Sequence, residues 1–89
     1  MGFFNKKKKV DLDQVFKDKY KDINQIVGDA NNELDLEIQI SLMELAYEKY
    51  NDLIALIDLG VDYDKEHFIS MQADLKKNIN LLKGLEDEN

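Results

Sequence analysis

Cysteine, proline, arginine and tryptophan are all absent from this 89-residue chain, and glycine occurs only four times. Without Cys there is no disulfide to staple a small core and no thiolate to bind a metal. Without Pro, and with little Gly, the usual punctuation of β-rich folds is missing, which favours long helices. Without Arg the chain lacks the side chain best suited to bidentate phosphate or guanine contacts.

Catalytic groups are equally scarce. His67 is the single histidine, Ser occurs only at 41 and 70, and no Gly-rich loop exists to cradle a phosphate. A nucleophile, a base and an orienting acid cannot be assembled from this set at any convincing spacing. The stretch Asp62-Tyr63-Asp64-Lys65-Glu66 begins like a calcium-binding loop. It carries His67 where that loop needs Gly and Ala73 where it needs a bidentate Glu. The expectation is a chain that is not an enzyme, with no cofactor, no metal site and no small-molecule substrate.

Charge is plentiful but unevenly placed. The net charge is −7, yet Lys6 to Lys9 form a basic run, so residues 10–89 hold 8 Lys against 19 Asp and Glu, or −11. Such a body repels a nucleic-acid backbone, so no nucleic-acid partner is expected. No run approaches the roughly 18 to 20 apolar residues of a membrane span. Lys6 to Lys9 are followed by Val10-Asp11-Leu12-Asp13 and not by the apolar core of a secretory signal. The expected address is the cytoplasm, and the bias toward Lys, Asn, Asp and Ile suits an AT-rich bacterial genome.

Helical periodicity dominates the rest. The longest apolar stretch, residues 33–59, shows one line through Leu36, Ile40, Met43, Tyr47, Tyr50, Ile54 and Ile57. A second line passes through Leu34, Ile38, Leu42, Leu45, Leu53 and Leu56. At about 100° per residue the two lie roughly 140° apart, so this helix must be covered on nearly opposite sides. Leu34 to Leu42 also alternates like a half-buried strand, but no other segment offers it a partner.

The fold expected is all-α: a small antiparallel bundle of three helices at about 11–27, 33–59 and 64–83. An N-cap at Asp11 starts the first, whose apolar stripe includes Phe16, Tyr20, Ile23 and Val27. A turn at Gly28 to Asn32 sets Val27 against Leu34, Ile23 against Ile38, Tyr20 against Leu42 and Phe16 against Leu45. Gly60 closes the central helix, Asp64 caps the last one, and Tyr63 and Phe68 stand at hydrophobic-staple positions. Phe68, Met71, Leu75, Ile79 and Leu82 then face Ile57, Ile54, Tyr50, Tyr47 and Met43. If residues 28–32 stay helical throughout, the alternative is a long hairpin, 11–59 with 64–83, that dimerises.

Residues 1–10 are read as a mobile basic arm, 11–84 as one helical domain and 85–89 as an acidic tail. The pairing scheme leaves Leu53 and Leu56 uncovered, so these two, with Phe3 and Phe4, are the candidate partner-binding residues. The leading functional expectation is a non-catalytic interaction or adaptor protein that binds a protein partner or self-associates, a dimer being the expected oligomer. The alternative is a peripheral membrane protein held by Phe3, Phe4, Lys6, Lys7, Lys8 and Lys9 on anionic lipid. Size and acidity also resemble the small helical hairpins exported by type VII secretion. Those carry Trp-x-Gly at their turn, which this chain lacks, so the resemblance transfers no residue.

Overall fold

A computed structural model describes residues 11–87. Three helices follow one another: α1 (Leu12–Asn32), α2 (Leu36–Asp58) and α3 (Lys65–Asp87). Both α1 and α3 pack on α2, and each runs antiparallel to it. Among the described residues there is no strand; the alternating stretch enters a helix at Leu36, where the Asp35 carboxylate accepts the Ile38 N–H at 3.1 Å.

The ends of the elements follow from capping. Asp11 accepts the Gln14 N–H at 3.3 Å and starts α1 as expected. The first turn falls at Glu33 to Asp35, later than Gly28 to Asn32. Gly28 stays helical at an expected cost of about 1 kcal/mol relative to Ala, offset by burial of Ala30 two residues on. The Glu33 N–H and the Gln39 side-chain amide both donate to the Ala30 carbonyl, at 3.1 and 3.0 Å, and so satisfy the end of α1. A single helix over 11–59 is therefore excluded.

The second turn is the one the sequence predicts. Gly60 has φ 119°, and its N–H donates to the Ile57 carbonyl while the Val61 N–H reaches back to Leu56. This is the Schellman pattern, completed by apolar burial of Val61 and Leu56. Asp64 then accepts the N–H groups of Glu66 and His67, and Tyr63 meets Phe68 edge to face at 6.2 Å. At the far end α3 passes through Gly84, which has no positive φ, and continues to Asp87. Leu82 packs on the core and Lys83 bonds Glu44 at 2.8 Å, which holds the last turns in place.

The register of α3 on α2 agrees with the expected pairing, shown by Lys65 at Asp58 and Gln72 at Tyr47 and Asn51. The register of α1 does not. Lys19 meets Asp52 at 3.8 Å and Lys49 meets Asp22 at 3.4 Å, which brings Phe16 to about the level of Ala55 and Ala30 to that of Ser41. The shift from the expected pairing is nearly three turns. Its cause is the later turn, which lengthens α1 and slides its start along α2.

The face of α2 is also different from that expected. Its buried residues, Ile40, Met43, Ala46, Tyr50, Leu53 and Leu56, occupy one continuous arc of roughly half the circumference. Ala46 lies between the two apolar lines and is fully buried. The small side chain there leaves room for both neighbours on one broad face, so α1 and α3 are adjacent and not opposed. They meet each other through long side chains. Phe16 lies edge to face with Phe68 at 5.2 Å, Tyr20 with Phe68 at 5.3 Å, and the Tyr20 hydroxyl donates to Met71 Sδ at 3.9 Å.

Candidate protein-interaction surface

The register shift moves the uncovered apolar surface from one end of α2 to the other. Leu53 is 0 % exposed and Leu56 is buried, both in one cluster with Phe16, Val61 and Phe68. The expectation that they form an open end is therefore corrected. Phe16 packs in the same cluster as Leu53, near its level, and the Schellman turn brings Val61 back to Leu56. Phe3, Phe4 and Lys6 to Lys9 lie outside the described residues.

What α1 leaves bare is the opposite half of the helix. Leu34 is 99 % exposed, Ile38 49 % and Leu45 44 %. With Ser41 between them, Ile38 and Leu45 stand at four- and three-residue steps and share one side of α2, while Leu34 is exposed in the turn that enters it. The same row continues through Glu48, Asp52 and Ala55 to Leu59, which is 69 % exposed. This outer line is thus apolar, then acidic, then apolar. The spacing 34, 38, 41, 45, 48, 52, 55, 59 was the signal in the sequence; its apolar members were merged with Leu53 and Leu56, which belong to the core.

Two open grooves flank α1. One, of about 240 Å³, lies against α2 and is lined by Asp18, Lys19, Asp22, Lys49 and Asp52. Its two interhelical ion pairs are about half exposed, so each contributes only about 0 to 1 kcal/mol. The other, of about 260 Å³, separates α1 from α3 beyond the aromatic contact, with Val27, Tyr50, Met71 and Leu75 among its walls and Asn24, Asp74 and Asn78 polar in it. Burial pushes the Tyr50 hydroxyl above the usual tyrosine range, and Tyr20 adds to the effect.

Neither groove is lined by the histidine or by either serine. His67 is exposed at the start of α3 and stacks edge to face on Phe68 at 5.2 Å. Asp64, beside it, spends its carboxylate on the helix cap. Among the described residues no group of three or more His, Cys, Asp or Glu is placed to hold a metal ion, and no helix is long and apolar enough to cross a membrane. No family model matches the chain, and no curated protein or solved structure matches it either. The class defined here is a three-helix, all-α bundle with an exposed apolar row on its central helix.

Proposed function

We propose that this chain is a non-catalytic interaction protein whose α2 outer line binds a protein partner or a second copy of itself. The observation that carries the reading is the exposure of Ile38 and Leu45 on one side of α2 together with Leu34 in its entry turn, three large aliphatic side chains in one stretch. Isolated surface leucines are ordinary, whereas a group of this kind suits the apolar face of a partner helix.

The test is affinity capture and sedimentation of the full chain beside the triple variant Leu34→Ser, Ile38→Ser, Leu45→Ser. Loss of the captured protein, or of the dimer, with helicity unchanged supports the reading. Equal capture by both chains removes it. Recovery only of membrane material, insensitive to the three substitutions, transfers the function to Phe3, Phe4 and the lysine run.

A further inference from the structure

Carboxylates border the exposed apolar side chains of α2 on both edges. On one edge Glu37, Glu44 and Glu48 follow one another at steps of seven and four, roughly 90° around the helix from the line of Ile38 and Leu45. On the other edge stands α1, where Asp22 faces α2 through its bond to Lys49 and Asp29, two turns on, shares that side. The antiparallel register brings Asp29 to about the level of Leu42, between Ile38 and Leu45. Glu37, Glu48 and Asp29 make no ion pair among the described residues. From Glu33 to Glu48 the sequence holds five acids and no lysine, so nothing within this stretch of α2 neutralises them.

An apolar strip with acids along both edges is the complement of an amphipathic helix whose apolar face is flanked by basic side chains. We propose that Ile38 and Leu45, with Leu34 at the entry turn, dock such a helix from another protein, its lysines or arginines falling beside Glu37, Glu48 and Asp29. Ile38 and Leu45 are about 10 Å apart along α2, which two turns of a partner helix match with apolar residues at i, i+4 and i+7. Charge decides against a second copy as the occupant. Two such strips face to face set the acids of one chain against those of the other, on bodies where residues 10–89 already hold 8 Lys against 19 Asp and Glu.

The inference rests on the proposed function's reading of α2 as a binding surface and adds the chemistry of the partner. Three synthetic peptides of about 18 residues, long enough to form a helix, test it against the full chain. One carries leucines at i, i+4, i+7 and i+11 flanked by lysines, the second has the same leucines flanked by glutamates, and the third is the first with its order scrambled. The lysine-flanked peptide is expected to shift the amide signals of Leu34 to Glu48 and of Asp29, and to bind less tightly as salt is raised. Its affinity is expected to fall about tenfold in the Ile38→Ser, Leu45→Ser double variant, and again in Glu37→Lys, Glu48→Lys, with helicity unchanged in both. Equal binding by the scrambled peptide overturns the proposal, as does a lysine-flanked peptide that leaves these signals unmoved. Tighter binding of the glutamate-flanked peptide overturns it too, yet leaves α2 a binding surface for a partner of other chemistry. The capture experiment judges that wider reading by itself, so the two can fail separately.

Discussion

Phe16 stacks face to face on Tyr63, with ring centroids 4.1 Å apart and planes within 9°. One residue belongs to the first helical turns and the other to the connection between α2 and α3, so this contact closes the bundle at the end where Leu53 and Leu56 lie. Phe68 meets both rings edge to face, the geometry aromatic quadrupoles favour.

Phe16→Ala is therefore expected to cost about 3 to 5 kcal/mol, through lost burial and the cavity left under Tyr63. Tyr63→Leu retains apolar cover and is expected to cost less, about 0.5 to 1.5 kcal/mol for the lost aromatic geometry. Urea denaturation followed by circular dichroism checks the order; equal costs would mean that the stack does not organise this end.

Leu53 and Leu45 offer a contrast between core and surface within one helix. Leu53→Ala is expected to destabilise by about 2 to 5 kcal/mol because the side chain is fully buried. Leu45→Ala is expected to change stability by no more than about 0.5 kcal/mol. Their midpoints in the same denaturant series decide the matter, and a large cost at Leu45 would place it in a covered position.

The three described glycines are expected to respond with different signs. Gly60→Ala forces a side chain onto φ 119° and is expected to cost about 1 to 2 kcal/mol. An added Cβ meets nothing within 4 Å at Gly28 or Gly84, and both are helical. Gly28→Ala and Gly84→Ala are each expected to stabilise by about 0.5 to 1 kcal/mol. Thermal midpoints measure all three, and destabilisation by Gly28→Ala would mean that the chain turns at Gly28 after all.

Tyr50 sets a dependence on alkaline pH. Burial raises its pKa in the folded chain above the ordinary tyrosine value, so the folded state holds the proton more tightly than the unfolded state does. Stability from this group is complete below the ordinary tyrosine pKa and falls as pH rises through the raised one. Ultraviolet titration is expected to show Tyr50 ionising above the ordinary tyrosine range, and Tyr50→Phe is expected to flatten the alkaline decline in stability. A decline of unchanged steepness in that variant would assign it to other groups.

Sequence patterns were legible wherever the cause is local. Asp11, Gly60, Asp64 and the Tyr63–Phe68 staple act over a few residues, and each sits where the sequence put it. The α2–α3 register was legible too, because a short, well-capped turn leaves little freedom in how the two helices meet. Gly28 and Gly84 misled for a related reason: a helix propensity near 1 kcal/mol is a weak force, readily outweighed by burial of Ala30 or Leu82 nearby.

The sequence by itself thus determined three helices, their composition of apolar and acidic faces, and the absence of cysteine for disulfides or thiolate sites. Only the tertiary structure decided which apolar face of α2 is covered. Leu34, Ile38 and Leu45 are as hydrophobic as Leu53 and Leu56, so no property of the side chains separates them. The choice came from Glu33 to Asp35, where the turn forms: a few residues' difference in that position slides α1 by nearly three turns, buries one end of α2 and leaves the other open. Packing is non-local, and the Ala46 position that lets both neighbours share one face has meaning only once they are there.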